Sequence, residues 1–285
     1  MAALAPELHP PVDLDALDHH YNGSRALYEA WSRVRHMHHG YATWAGPWTH
    51  EGMLDAMVDR VTDDLELPRQ ARVADLGCGY GAGARRLLRR RPDLRVDGFT
   101  VLPEQVDFMT EHAAPGLTPN LGDYCATGRP DGHYDGAFFL ESIDYGTGAA
   151  KADALAEAAR ILRPGARLVV AGPFLAYAPT GLVGWLTRTV ERAFAIDALA
   201  QTGPFAAALD VHGFELERNE LASLRIAPTV LVGHLRALGL VLRRTWSGEG
   251  LDADERRHLT GGIAGLWLGL CMWAFQYRVF TARRR

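Results

Sequence analysis

A glycine-rich stretch follows a short apolar run, with the sequence Val73-Ala-Asp-Leu-Gly-Cys-Gly-Tyr-Gly-Ala-Gly83. Glycine permits a tight turn and lets the backbone approach a bound ligand closely, as doubly wound folds require at the carboxyl ends of their strands. The spacing is acid-x-G-x-G-x-G, which differs from the G-x-G-x-x-G fingerprint of pyrophosphate-binding loops. Asp75 at the strand end therefore favours a ligand that carries positive charge and no phosphate. A plain glycine turn is the alternative interpretation.

This order of residues resembles motif I of the class I S-adenosylmethionine-dependent methyltransferases. The resemblance implies S-adenosylmethionine as the cofactor. It also implies an α/β, Rossmann-like fold with a doubly wound, mostly parallel sheet. On this resemblance, Asp75, Gly77, Cys78 and Gly79 lie against the cofactor.

The next predicted strand ends without the acidic residue that usually binds ribose hydroxyls, about 20 residues after the glycine loop. Thr100 stands at that place, in Gly98-Phe-Thr-Val-Leu-Pro-Glu-Gln105. This stretch resembles the tocopherol, sterol and terpenoid C-methyltransferase group, although Leu102 replaces the serine that is usual there. The resemblance implies further cofactor contacts from Tyr41, Thr100, Val101, Gln105, Asp123, Tyr124 and Leu140. For Asp123, an ordinary Gly-Asp turn is an equal alternative.

A glutamate follows the apolar run Tyr134–Leu140, a predicted strand, in Phe138-Phe-Leu-Glu-Ser-Ile-Asp144. Because ligands bind at the carboxyl edge of such sheets, Glu141 is predicted to lie near the methyl group of the cofactor. A partly desolvated carboxylate with a raised pKa can stabilise a carbocation and then accept its proton. The same group of methyltransferases also places a glutamate here. A solvated loop acid or a cofactor ligand is the alternative.

Aromatic and histidine side chains are concentrated ahead of the core, between Tyr21 and Trp44. The phrase His36-Met-His-His-Gly-Tyr41 resembles the N-terminal cap of tocopherol-type methyltransferases. On that resemblance Tyr21 and Tyr41 lie near the cofactor and His38 near the acceptor, so Glu141, Tyr21 and His38 are the candidate catalytic residues. Ordinary core or surface histidines are the alternative. No metal site is predicted, because no nearby carboxylate or cysteine completes a ligand set with these histidines.

Alternating strands and helices are needed to bring these residues to one edge of a sheet. Strands are predicted at Arg72–Asp75, Leu94–Val101, Tyr134–Leu140 and Ala166–Ala171, and helices at Glu51–Leu65, Ala84–Arg91, Pro103–Ala113 and Lys151–Leu162. Repeated units of this length indicate a parallel, doubly wound sheet. Further helices are predicted at Leu182–Ala200 and Phe205–Val211, and further strands at Gly213–Leu221 and Phe275–Thr281.

The chain divides into an N-terminal cap (1–50), a cofactor-binding core (51–225) and an apolar helical lid with the final strand (226–285). The lid stands where a minimal fold has only a hairpin, and its composition implies a hydrophobic small-molecule acceptor. Oligomer packing is the alternative use of this surface, and a homo-oligomer is expected. The stretch 261–275 is shorter than about 20 residues and rich in glycine, so no membrane insertion is predicted.

Composition narrows the location and the partners. The chain has 285 residues, enough for a sizeable core in one domain with appendages. Its 30 Lys and Arg are balanced by 34 Asp and Glu without a long basic run, which argues against a nucleic-acid partner. The three cysteines lack CxxC spacing and the N-terminal segment lacks a signal-peptide pattern, so a cytoplasmic location is expected.

Together these residues predict an S-adenosylmethionine-dependent C-methyltransferase. We expect it to act on a prenyl or terpenoid carbon of a hydrophobic molecule in secondary metabolism, through a carbocation-like intermediate. This substrate class depends on the family resemblance. Two alternatives stay open: transfer to an aromatic carbon or an amine, and a non-catalytic protein that retains the cofactor site. A prenyl diphosphate acceptor is less favoured, because Arg33 and Arg35 are the only obvious basic candidates in the cap.

Overall fold

The structure is a computed structural model that describes residues 14–248 and 250–285. Within these residues, seven strands form one sheet. They are β1 (Arg72–Leu76), β2 (Arg95–Thr100), β3 (Leu117–Leu121), β4 (Tyr134–Leu140), β5 (Leu162–Leu175), β6 (Phe214–Leu221) and β7 (Phe275–Arg284). The helices are α1 (Leu14–Gly23), α2 (Arg25–Trp31), α3 (His50–Asp63), α4 (Ala82–Arg90), α5 (Pro103–Glu111), α6 (Ala152–Ile161), α7 (Gly181–Ala193), α8 (Thr202–Val211), α9 (Ser223–Ser247) and α10 (Ala253–Leu270).

The strand order is β3-β2-β1-β4-β5-β7-β6. Strands β1 to β5 pair in parallel, whereas β7 is antiparallel to both β5 and β6. The chain reverses its direction of winding between β1 and β4, and ligands of such sheets bind outside the carboxyl ends of the strands at this switch point. The predicted fold, a Rossmann-like and mostly parallel doubly wound sheet, is confirmed. The final strand is antiparallel but does not lie at the edge of the sheet, because β6 pairs with its outer side.

Helices cover both faces of the sheet with apolar side chains. Helix α3 buries Met53, Leu54, Met57, Val58 and Val61, which recur at helical spacing. Its first turn is capped by the side chain of Thr49, which accepts from the amide of Gly52. Helices α3, α4 and α9 pack on one face of the sheet, and α6 and α8 pack on the other. Strand β1 lies between these layers with residues 73–76 buried, which fixes the position of the glycine loop that follows.

The segments predicted as the cap (1–50) and the lid (226–285) both contain helices. Helices α1 and α2 lie in the cap segment, whose first thirteen residues lie outside the described residues. Helices α9 and α10 form most of the lid segment, and α10 begins with a reciprocal capping box between Asp252 and Glu255. The predicted helix from Leu182 to Ala200 is too long, because α7 ends at Ala193 and Ala195 takes a positive φ of 53° that no helix continues through.

Helix α9 is long and apolar enough to cross a membrane, the one such helix in the part of the chain that is described. Its most apolar window has a mean hydropathy of 1.4, and 17% of that window is buried. The helix nevertheless makes specific polar contacts with its neighbours. The Arg236 guanidinium donates to the carbonyl oxygen of Trp31 on α2 at 2.5 Å, and His234 Nε2 lies 2.8 Å from the carbonyl oxygen of Gly262 on α10.

Candidate active site

The glycine loop joins β1 to α4 and forms one wall of a cleft at the carboxyl edge of the sheet. Gly77, Gly79 and Gly81 have φ values of +85°, +52° and +73°, a region in which only glycine is unstrained. A Cβ atom on Gly77 would collide with the side chain of Ser142, and one on Gly79 would lie 2.9 Å from the sulfur of Met37. The absence of side chains therefore keeps this wall of the cleft open.

Asp75 is the buried acid of this cleft, with 3% of its surface exposed. Burial raises the pKa of its carboxyl group to about 8, although a backbone hydrogen bond from Ala84 opposes the shift. A cationic ligand would supply the counter-charge that this carboxylate lacks. The glycine cradle and the acid together fit the ammonium-bearing S-adenosylmethionine, which supplies an electrophilic methyl group when bound.

The threonine and glutamine that replace the usual ribose-binding acid also line the cleft. Thr100 Oγ1 donates to Gln105 Oε1 at 2.5 Å, and the amide of Leu102 donates to Thr100 Oγ1 at 3.2 Å. The Thr100 and Gln105 side chains are thus fixed against each other, and both are buried. Four more of the predicted cofactor residues line the same cleft: Cys78, Val101, Tyr124 and Leu140.

Two predicted cofactor contacts lie elsewhere. Tyr41 donates from its hydroxyl to Glu220 Oε1 on β6 at 2.5 Å, and its ring faces the guanidinium of Arg225. Asp123 is exposed and accepts from the amide of Cys125 at 2.7 Å, which closes a local turn. Neither residue lines the cleft, so their contacts with the cofactor stay predictions, and the local turn at Asp123 favours the alternative stated for it.

Glu141 follows β4 in a strained backbone conformation, with a φ of +53° that is uncommon outside glycine. Its carboxylate accepts from the His39 amide at 2.6 Å and from the Tyr277 hydroxyl at 2.7 Å. His39 Nδ1 lies 3.0 Å from each carboxylate oxygen. Backbone strain that is held in place by several hydrogen bonds is a feature of functional sites.

The pKa of Glu141 is lowered, opposite to the shift that the sequence suggested. Burial alone raises the pKa of this carboxyl group, but the positive charge and the hydrogen bonds of His39 outweigh it. Burial lowers the pKa of His39, but the charge and the hydrogen bond of Glu141 raise it by more. The net result is a raised pKa for His39. The two residues therefore form an ion pair that keeps Glu141 ionised, and a carboxylate with three donors is poorly suited to accept a further proton.

The cap histidines form a hydrogen-bonded chain instead of a ligand set. His38 Nε2 lies 3.0 Å from His36 Nδ1, and His36 Nε2 lies 3.1 Å from Asp55 Oδ1. Burial, together with the charge of His36, lowers the pKa of His38 to about 3, so His38 is neutral. Among the described residues, no cluster of three or more histidine, cysteine or acidic side chains is arranged to hold a metal ion.

Tyr21 lies at the junction of two cavities. Its hydroxyl donates to Tyr145 at 3.1 Å, and the Tyr145 hydroxyl donates to the carbonyl oxygen of Phe194 at 3.0 Å. Burial raises the pKa of Tyr21 to about 12, so it stays neutral. The structure thus brings the candidate catalytic residues Glu141, Tyr21 and His38 to one place, although their roles remain proposals.

The second cavity lies between the cap and the lid and has a volume of about 690 Å³. Its walls come mainly from apolar and aromatic side chains of α2, α7, α9 and α10, and the aromatic ones include Tyr28 and Trp31 of α2. It shares five wall residues with the cofactor cleft: Tyr21, Met37, His38, Glu141 and Tyr145. A molecule in this apolar cavity, the acceptor cavity, would therefore meet the cofactor beside Glu141.

Several polar residues of the acceptor cavity were not assigned to the site from the sequence, among them His39, Asp144 and Tyr277. His39 and Asp144 stand within the two phrases that drew attention to His38 and Glu141. Tyr277 lies 136 residues after Glu141, so only the pairing of β5 with β7 brings the two together.

Similar proteins support the assignment of this chain as a methyltransferase. Residues 73–165 match the family described as a methyltransferase domain. The 27-O-demethylrifamycin SV methyltransferase of Amycolatopsis mediterranei is 29% identical over 68% of this chain and 71% of its own length. The 2-methyl-6-phytyl-1,4-hydroquinone methyltransferase of Synechocystis is 36% identical over 37% of this chain and 33% of its own length.

Solved structures show the same fold at low sequence identity. The cyclopropane synthase MmaA2 from Mycobacterium tuberculosis has a TM-score of 0.80 at 18% identity, over 98% of this chain and all of that chain. The geranyl diphosphate C-methyltransferase from Streptomyces coelicolor has a TM-score of 0.68 at 19% identity, over 99% of this chain and all of that chain. The chain is therefore an S-adenosylmethionine-dependent methyltransferase with the class I fold, and S-adenosylmethionine is its cofactor.

Proposed function

We propose that this enzyme methylates a prenyl or terpenoid carbon of a hydrophobic small molecule in secondary metabolism, through a carbocation-like intermediate. The observation that carries the proposal is the position of ionised Glu141 in the shared wall of the cofactor cleft and the acceptor cavity. Methyl transfer to an alkene leaves a positive charge on carbon. A fixed anion in a water-poor site stabilises such a charge without having to reorganise.

The aromatic wall adds to this stabilisation. Tyr21, Tyr28, Trp31 and Tyr145 line the acceptor cavity, and each ring face attracts a nearby cation by about 0.5–2 kcal/mol. Glu141 acts on this account as an electrostatic stabiliser, because the donors from His39 and Tyr277 already occupy it. The role of base, which the sequence also suggested for it, needs a different group.

The cavity favours an acceptor without a diphosphate. Among the described residues that line it, Arg236 is the one arginine or lysine. Its guanidinium donates to the carbonyl oxygen of Trp31 and so caps the last turn of α2. Recognition of a diphosphate usually depends on several arginine or lysine side chains, or on a metal ion that bridges to the protein.

A second candidate function is transfer to a hydroxyl oxygen, because His39 lines the acceptor cavity with Nδ1 turned to Glu141. In its neutral form the other ring nitrogen can accept a hydroxyl proton, as in carboxylate-oriented histidine bases. The 27-O-demethylrifamycin methyltransferase is named for transfer to oxygen.

The assay offers methyl-labelled cofactor and three acceptors: squalene, farnesol and farnesyl diphosphate with magnesium. The expected product is squalene or farnesol that carries the labelled methyl group on a carbon atom. Transfer to a carbon of farnesyl diphosphate alone would overturn the inference that the acceptor carries no diphosphate, and transfer confined to oxygen would overturn the proposal. Glu141→Ala and Glu141→Gln should bind S-adenosylhomocysteine with nearly unchanged affinity yet lose most turnover, whereas unchanged turnover would leave Glu141 with a structural role.

We further propose that the enzyme works in the cytoplasm as a homo-oligomer and without inserting α9 into a bilayer. The contacts of Arg236 and His234 hold α9 against α2 and α10, which supports a docked helix. Exposed apolar side chains on α9, such as Leu235 and Leu242, support a contact with a second copy. Sedimentation velocity of the purified protein should show a species larger than a monomer, and Leu235→Glu should shift it towards the monomer.

A further inference from the structure

A second carboxylate lies beside Glu141 in the acceptor cavity. Asp144 belongs to the short 3-10 turn Ile143–Tyr145 and has 3% of its surface exposed. It lines the cavity, and its Oδ1 atom is buried without a hydrogen-bond partner among the described residues. The nearby ammonium of Lys151 donates to the carbonyl oxygen of Asp144 at 2.7 Å.

A buried carboxyl oxygen without a donor is costly, and most buried polar atoms in folded proteins have a partner. A purely structural aspartate would be expected to accept from Lys151 through its side chain. The Lys151 ammonium instead donates to the backbone carbonyl oxygen of Asp144. Asp144 lines the cavity and lacks a donor to Oδ1, which a ligand that enters the cavity could supply.

The two carboxyl groups have environments that separate their pKa values. His39 and Tyr277 surround Glu141 with donors, and its pKa is lowered. Burial raises the pKa of Asp144 to about 7, Lys151 opposes this shift, and Glu141 adds to it. The other groups that face Asp144 are Glu191 on α7, which also raises its pKa, and the neutral tyrosines Tyr21, Tyr124, Tyr145 and Tyr277. Carboxyl pairs separated in this way often divide the acid-base roles of an active site.

We propose that Asp144 is the proton acceptor of the acceptor cavity, facing the cationic centre that methylation creates there. This inference rests on the proposed transfer to carbon. In the step, the bond between hydrogen and the carbon next to the cationic carbon breaks. Its electron pair forms a new carbon–carbon double bond, and the proton moves to the carboxylate of Asp144. Glu141 stays ionised throughout and stabilises the charge until it is removed.

The subsite can be tested without the natural acceptor. N,N-dimethyloctylamine is protonated at neutral pH and resembles a cationic carbon on an apolar chain. Its binding to the complex of the enzyme with S-adenosylhomocysteine is measured by calorimetry. We expect wild-type affinity to rise between about pH 6 and about pH 8, as Asp144 ionises. Asp144→Asn should weaken binding at the upper pH by at least about tenfold and abolish the pH dependence.

Asp153→Asn is the matched control. Asp153 lies nine residues after Asp144, is exposed, accepts from the Thr147 hydroxyl and does not line the cavity, so its substitution should leave amine binding unchanged. Equal affinity of wild type and Asp144→Asn would overturn the proposal. A wild-type affinity that is flat over the pH range would overturn it even if the variant failed to fold. Amine binding without any methyl transfer to carbon would retain the cationic subsite and refute only the proposed function.

Discussion

Replacing Glu141 with glutamine tests the ion pair at the centre of the site. Loss of one partner from a buried pair costs about 3–5 kcal/mol. The Glu141 side chain is 13% exposed and that of His39 is 35% exposed, so solvent screens the pair from one side. Glutamine also keeps an oxygen that can accept one of the three donors. We therefore expect Glu141→Gln to lower the free energy of unfolding by about 2 kcal/mol.

Thermal unfolding of the complex with S-adenosylhomocysteine measures this loss. For a chain of this size, about 2 kcal/mol corresponds to a fall in Tm of roughly 3–4 °C. Tyr277→Phe is the control, since it removes one donor and no charge and should cost only about 1 kcal/mol. The double variant His39→Ala, Glu141→Gln should be less destabilised than the sum of the two single variants. Strict additivity would refute the ion pair.

The difference in stability between wild type and Glu141→Gln should depend on pH with a definite sign. The lowered pKa of Glu141 contributes stability that is complete above its ordinary value of 4.5 and is lost as the pH falls. The raised pKa of His39 contributes stability that is complete below its ordinary value of 6.5 and is lost as the pH rises through the raised value. Wild type and Glu141→Gln should therefore differ most between pH 4.5 and 6.5. A difference that keeps growing above this window would contradict the assignment.

Two glycine pairs separate steric effects from backbone effects. Gly77→Ala should lower the affinity for S-adenosylhomocysteine by at least about tenfold in calorimetry, because its Cβ collides with Ser142. Gly165 has a similar φ but open space around it, so Gly165→Ala should lower the stability and leave this affinity unchanged. Gly233→Ala should push the Trp31 ring within the acceptor cavity and lower the Tm. Gly239→Ala, on the same helix with open space, should raise stability by up to about 1 kcal/mol.

The core could be predicted from the sequence because its signals are local. The glycine loop, the alternation of strands with helices and the position of Glu141 after β4 are each encoded within a few residues. The handedness of connections between parallel strands then restricts the possible strand orders. The separation of the lid into α9 and α10 was harder to see, since the boundary depends on a capping box at Asp252 within a generally apolar region.

The electrostatics of the site could not be predicted in this way. Glu141 was expected to have a raised pKa from its burial, but the cause that prevails is His39, which lies 102 residues away in sequence. Tyr41 was assigned to the cofactor from a phrase in the cap, whereas the fold turns its hydroxyl towards Glu220 on β6. Asp144 carried a signal, an acid three residues after Glu141, but its lack of a donor is visible only when the surrounding atoms are placed.

The most direct test of the account is the atom that receives the methyl group when one acceptor offers both kinds of site. Farnesol carries alkene carbons and a hydroxyl oxygen on the same apolar chain. The wild-type enzyme is incubated with farnesol and a cofactor whose methyl carbon is isotopically labelled, and the product is examined by carbon NMR. The account predicts a labelled methyl group bonded to carbon. A labelled methyl ether, or a lack of label in both farnesol and squalene, would contradict it.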